Sequence, residues 1–461
     1  MNARLPSLLG LTLALGLPFL GLACGDKDDD TGTGDGGADG GTGDGGGDGG
    51  GTTGTVECED NVCVVSGTIL EDQVWSADYA WLLRGGVFIG DDINPTTLTI
   101  EPGTTVYGES ATDGMLVVRR KSRILADGTK DAPIVFTSSK SPGSRARGDW
   151  GGLIINGLGP INACAEGTEG DCEAYGEGGT GWYGGSDPAD DSGVLRYVRV
   201  EFAGTLISPD NELNGIAFQA VGSGTTIEYV QVHMNSDDGI EFFGGTANAK
   251  YLVTTGIGDD NLDWTDGWQG MVQFMVMQQY SDNGDNGVEA DNNGEDNAAE
   301  PFSAPTISNL TIIGSSASSS SDVGILVREG TQGHLSNVIV TGWNEGCIDV
   351  DHDQTWANGA AGDLTLTHSI VWCDTGANFI VDDDAGSVED WFMSQAGNQV
   401  TDPMLGDPTN SSSPDFAPKS GSPALSGASV PTDAFFTPVD FIGAVGPDED
   451  WTAGWTTSAA N

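Results

Sequence analysis

From about Val64 onward the chain reads as short runs of alternating apolar and polar residues, each closed by Gly, Asn, Asp or Pro. Runs of this kind are Leu98–Val106, Pro133–Phe136, Leu195–Phe202, Ile227–Val232, Val272–Val276, Ile307–Ile313 and Leu335–Val340. A period of two places successive side chains on opposite faces of a strand, and no helical period separates one run from the next. The chain beyond residue 60 is therefore expected to be all-β.

A repeat decides between the all-β architectures. Gly215-Ile-Ala-Phe218, Gly239-Ile-Glu-Phe242, Asn261-Leu-Asp-Trp264, Gly287-Val-Glu-Ala290, Gly324-Ile-Leu-Val327 and Cys347-Ile-Asp-Val350 align, with starts 24, 22, 26, 37 and 23 residues apart. The long step is explained by an insertion between Asn292 and Ala304. In every copy the second and fourth residues are apolar and point inward, while the third points outward. Units of this length that bury one continuous core by stacking predict a parallel β-helix of about a dozen coils.

These repeats resemble right-handed parallel β-helix proteins of the pectin-lyase-like group. Gly148-Asp-Trp-Gly-Gly-Leu-Ile-Ile-Asn156 and Asp237-Asp-Gly-Ile-Glu-Phe-Phe-Gly-Gly245 resemble segments of a family of secreted lipoproteins of Gram-negative bacteria, as do Asp415-Phe416 and Gly421-Ser-Pro-Ala-Leu425. The resemblance implies the fold and export, and attaches no activity to them.

The N-terminus has a different texture. Arg4 precedes an apolar run from Leu8 to Leu22, which ends in Gly21-Leu22-Ala23-Cys24 and resembles a bacterial lipoprotein signal peptide, with Gly21 where such peptides usually carry Leu. The resemblance implies acylation of Cys24 and a lipid anchor in the outer membrane or at the cell surface. Gly25 to Thr55 is Gly, Asp and Thr with almost nothing apolar, a composition expected to stay disordered as a tether. The expected organisation is a signal peptide over 1–23, the lipidated cysteine and tether over 24–56, the β-helix over 57–430, and a C-terminal capping segment over 431–461 that covers the last open edge. Setting Cys24 aside leaves six cysteines, whose spacing suggests the local pairs Cys58 with Cys63, Cys164 with Cys172, and Cys347 with Cys373. Six cysteines allow fifteen pairings, and an even number suits an oxidising compartment.

Charge narrows the partners. Acidic residues number 69 against 16 basic ones, a formal net charge of −53, which excludes nucleic acid because phosphate binding needs clustered Lys and Arg. A polysaccharide or another surface protein is the expected partner. The third repeat position carries Glu241, Asp263 and Glu289 on consecutive coils, and Asp238 and Asp260 align beside them, as do Asp237, Asp259 and Asp285. In register these carboxylates stack about 4.8 Å apart, and each neighbouring pair repels by roughly 3 kcal/mol at an effective dielectric near 20. Calcium relieves such crowding, because it takes several hard oxygen ligands, and Asn235, Asn261 and Asn292 offer more. Asp238, Glu241, Asp260, Asp263 and Glu289 are the expected metal ligands.

A catalytic alternative uses the same ladder. Paired carboxylates on a β-helix face resemble the acid/base arrangement of polygalacturonases and the calcium site of pectate lyases. That resemblance implies hydrolysis or elimination on an acidic polysaccharide by Glu241, Asp263 and Glu289, with Arg328 as the only nearby candidate base. The Gly-His-Gly motif of polygalacturonases is absent from the sequence. The expectation leans to a binding or structural protein.

Overall fold

The computed structural model describes residues 53–165, 170–208, 211–381 and 385–461. The expected signal peptide, Cys24 and most of the tether lie outside the described residues. Among the described residues no helix is long and apolar enough to cross a membrane.

The body is a parallel β-helix. One face stacks Met115–Val118, Gly152–Asn156, Ile216–Gln219, Ile240–Phe243, Leu262–Thr265, Val288–Ala290, Val323–Val327, Gly346–Val350 and Ala377–Phe379, each strand pairing in parallel with the next. The inward positions of the repeat are buried in every copy: Ile216 and Phe218, Ile240 and Phe242, Leu262 and Trp264, Val288 and Ala290, Ile325 and Val327, Ile348 and Val350. Phe242 stacks on Phe218 and on Trp268, with ring centroids 5.1 and 4.2 Å apart, so like residues meet like along the axis. Burial of these columns, at roughly 25 cal/mol per Å² of apolar surface, is what a single coil could not achieve alone.

A second stack runs Gly193–Glu201, Thr226–His233, Asn248–Thr255, Met271–Gln278 and Thr306–Ile313. Each of these strands turns a corner at one residue with positive φ: Tyr197 (50°), Tyr229 (55°), Tyr251 (61°), Phe274 (63°) and Asn309 (63°), continued by Asn337 (58°) and His368 (51°) in later coils. The left-handed conformation costs an L-residue about 1–2 kcal/mol. Here it turns the side chain outward, where Tyr197, Tyr229 and Tyr251 stack with centroids 4.4 Å apart. Stacking of that kind returns about 0.5–1.5 kcal/mol per pair.

The ends are closed differently. Thr55–Glu59 folds back antiparallel on Val62–Ile69, stapled by the Cys58–Cys63 disulfide, and covers the first edge. The other two disulfides join Cys164 to Cys172 and Cys347 to Cys373, as their spacing suggested. At the far end the helix Val388–Ser394 lays Phe392 against Phe379 of the last strand in the stack. The tail, expected over that last edge, instead lies along the flank: Trp455 packs on Tyr197 and Tyr229, and Trp451 on Tyr251. The helix Val388–Ser394 already occupies the last edge, and the stacked corner gives the indoles aromatic rings to pack against.

Candidate acidic site on the outer face

The outward residue of the first stack changes character along the axis. On the early coils it is Val117, Ile154 and Ala217, and on the later ones Glu241, Asp263 and Glu289, in direct register as Ala217↔Glu241, Glu241↔Asp263 and Asp263↔Glu289. The apolar part is covered by the segment between Asn156 and Gly193. Ile161, Ala174 and Tyr183 pack on Val117, Ile154, Ala217 and Phe243 to make a satellite core outside the cylinder. Within that segment Ala174–Gly176 pairs antiparallel with Gly181–Tyr183. The Tyr183 hydroxyl donates to Asp266 Oδ2 at 2.9 Å, and Asn156 Nδ2 donates to the Thr180 carbonyl at 3.0 Å, which fixes this hairpin as a wall beside the carboxylates.

Three acidic columns then run side by side. Asp238 Oδ1 accepts from the N–H of Asp260 (3.0 Å), Asp260 Oδ1 from that of Asn286 (2.7 Å), and Asn286 Oδ1 from that of Val323 (3.2 Å). This column ties each coil to the next through a carbonyl-like side-chain oxygen, which explains Asp or Asn at that position without invoking a ligand. The second column is Asp259, Asp285, Asp322 and Glu345, joined by backbone hydrogen bonds of 3.0–3.2 Å from each N–H to the preceding carbonyl. The third is Glu241, Asp263 and Glu289. Carboxylate oxygens of Asp237, Asp238 and Asp259 lie within 4.8 Å of one another, as do those of Asp238, Glu241 and Asp263, and those of Asp259, Asp260 and Asp285.

Electrostatics follow from that crowding. Burial, then the charge of neighbouring acids, pushes the carboxyls of Asp237, Asp238, Glu241, Asp260 and Asp263 well above the usual range. Glu289 is pushed up to about 8 by burial and Asp291, with Arg328 opposing. Asp322, half-buried and hydrogen-bonded to Glu345, also rises to about 8 through partial burial and the Glu345 charge. Glu177, at the turn of the covering hairpin, rises to about 7 through burial and the charges of Asp266 and Glu212.

The hydrogen bonds sort the expected ligands. Asn214 Nδ2 donates to Glu241 Oε2. Asp263 Oδ1, Asn235 Oδ1 and Asn261 Oδ1 are buried and accept no hydrogen bond from the protein. Asn292 does not join them. Its Oδ1 accepts from the N–H of Ser303 and from Asn162 Nδ2, and its Nδ2 donates to the carbonyls of Asn297 and Ala299, so it holds the inserted segment in place. Arg328 is locked by two acids: it donates through Nη2 to Glu289 Oε1 and through Nε to Asp291 Oδ1 at 3.0 Å. Those partners push the guanidinium pKa further up, which opposes the role of a proton-accepting base.

The residues expected as ligands therefore do converge, and the structure adds members. Asp237, Asp259 and Asp285, read from sequence as flanking, share oxygen clusters with them, and Glu177, Glu212, Asp266 and Asp291 border the site. Glu177 opens a short 3-10 helix, Glu177–Gly179, and Glu212 sits in the two-residue strand Asn211–Glu212, both outside the stacks and at positions no strand period reveals. The donor set is all hard oxygen, it includes an orphaned buried carboxylate oxygen, and it fits calcium better than any thiophilic metal.

Residues 67–456 match the family model of a pectate-lyase-like β-helix domain. A comparison with curated proteins found no match.

Proposed function

Because the chain belongs to the pectate-lyase-like β-helix family, we propose that it is a surface-displayed binding protein whose acidic face holds calcium and, through it, a glycan. Family membership supports a glycan-related or structural role. The observation that carries the finer reading is the convergence of Asp238, Glu241 and Asp263 within 4.8 Å while Asp263 Oδ1 stays buried and unpaired. Burying that much like charge is unfavourable unless protons or a cation neutralise it. Asp237, Asp238, Glu241, Asp259, Asp260, Asp263 and Asp285 would hold the ion, which would supply positive charge for sugar hydroxyls or carboxylates on a protein of net charge −53.

In this reading a lipid on Cys24 and the Gly/Asp tether hold the β-helix off the membrane, and the three disulfides suit an exported, oxidising setting. The test is a thermal melt of the purified protein in calcium against chelator, paired with a glycan array in the same two buffers. A rise in Tm of several degrees with calcium, and array signals that vanish in chelator, support the proposal. Identical melts would reduce the columns to surface charge.

A further inference from the structure

The aromatic corner of the β-helix is also lined with side-chain amides, and these read a polypeptide backbone. Gln231 Nε2 donates to the Thr457 carbonyl at 2.8 Å while Gln231 Oε1 accepts from the Thr457 N–H at 2.8 Å. Gln273 does the same to Thr437, at 2.8 and 2.7 Å. Asn337 does it to Ser429, at 3.2 and 2.7 Å. Each amide thus imitates one residue of a neighbouring strand and satisfies both backbone groups of its target. His233 Nε2 donates to the Ala459 carbonyl at 2.7 Å, and Asn309 Nδ2 to the carbonyls of Phe441 and Gly443, both at 3.1 Å. None of these bonds depends on the side chain of the residue that is held.

Specificity comes from the rings instead. Trp455, 1 % exposed, presents its edge to Tyr197 and Tyr229 two residues before the backbone pair at Thr457, with centroids 5.8 and 6.0 Å apart. The partners are 226 residues apart in sequence for Gln231 and Thr457, and 164 for Gln273 and Thr437, so the chain contributes an occupant from far outside the coil that binds it.

We propose that this corner is a peptide-binding groove, which recognises an extended segment by its backbone plus one aromatic anchor, and that residues 455–459 are its occupant in cis. The same groove accepts such a segment supplied in trans.

The test uses the full chain with a protease site inserted at the exposed Asp448–Glu449, followed by cleavage and addition of a fluorescent synthetic peptide of residues 450–461. The released fragment is expected to co-elute with the body and to be displaced saturably by the peptide. A peptide carrying Thr457→Val should bind within about threefold, whereas N-methylation at Thr457 or Trp455→Ala should weaken binding by about tenfold or more. Gln231→Leu in the body should reproduce the N-methyl effect, and if that variant does not fold the N-methyl peptide decides alone. The proposal is overturned if the fragment separates on cleavage and the peptide fails to bind, or if the N-methylated peptide binds as well as the unmodified one.

Discussion

Asp238 accepts a hydrogen bond at 3.0 Å from the backbone N–H of Asp260, the residue that holds its own place one coil further on. The bond engages one carboxylate oxygen in the fold, so that in the proposed site the other would serve a ligand. Charge and architecture are separable at such a position, because Asn keeps the accepting oxygen and discards the charge.

Asp260 offers the cleanest separation, since its Oδ1 accepts from the Asn286 N–H at 2.7 Å. Asp260→Ala leaves a buried N–H unpaired and should cost about 1–3 kcal/mol. Asp260→Asn keeps the bond and removes one of the crowded charges, so in chelator at pH 8 it should be at least as stable as the parent while responding less to calcium. Urea unfolding in chelator measures both. Equal losses for Ala and Asn would mean that the charge itself holds the coils together.

The raised pKa values impose a direction on stability against pH. An acid whose pKa is higher folded than unfolded binds more protons in the native state, so stability falls as pH rises between the two values. Free carboxyls titrate near 4, Glu177 in the fold at about 7, and Glu289 and Asp322 at about 8. Without calcium the melting temperature should drop steadily from pH 5 to pH 8. With calcium the drop should shrink, and binding at pH 6.5 should release protons, measurable as a buffer-dependent heat in calorimetry. A flat profile in chelator would contradict the raised pKa values of these crowded acids.

The corner ladder gives a test independent of charge. Tyr229 stacks between Tyr197 and Tyr251, 4.4 Å from each, with φ at 55°. Asn tolerates that backbone but not the stacking, so Tyr229→Asn should cost about 1–3 kcal/mol. Tyr229→Ala, which adds backbone strain, should cost more. Denaturant midpoints rank the two, and the opposite order would show that the left-handed turn is not what constrains this position.

Much of this was legible because strand periodicity and a repeat of some two dozen residues are local signals. Ile240 and Phe242 inside with Glu241 outside follows from alternation alone, and parallel stacking then brings Glu241, Asp263 and Glu289 together. The corner was not legible. Alternation slips by one residue at Tyr197-Val198 and again at Tyr229-Val230, leaving Leu195, Val198 and Val200 inside, but aromatic residues seldom adopt positive φ, so the slip alone does not mark a left-handed turn. Nor was the wall formed by Glu177 and Tyr183, which a disulfide-closed insertion delivers from outside the repeat. The tail escaped for a chemical reason: Gln231 and Gln273 grip backbone, and backbone leaves no trace in the sequence it belongs to.

The binding reading and the hydrolytic reading of the acidic face make opposite demands on calcium. Glycoside hydrolysis needs one carboxyl protonated and another ionised, and crowding among Glu241, Asp263 and Glu289 supplies the protonated one only while no cation neutralises the cluster. Calcium would therefore suppress hydrolysis, whereas it promotes binding. Replacing Glu241→Gln, Asp263→Asn and Glu289→Gln together keeps the shapes and leaves Arg328 paired with Asp291 at 3.0 Å. The binding reading expects the parent to release no reducing or unsaturated ends from acidic polysaccharides in either buffer, and the triple variant to lose its calcium-dependent rise in Tm while staying folded. Sugar ends released in chelator, suppressed by calcium and abolished in the variant would instead assign these acids to hydrolysis.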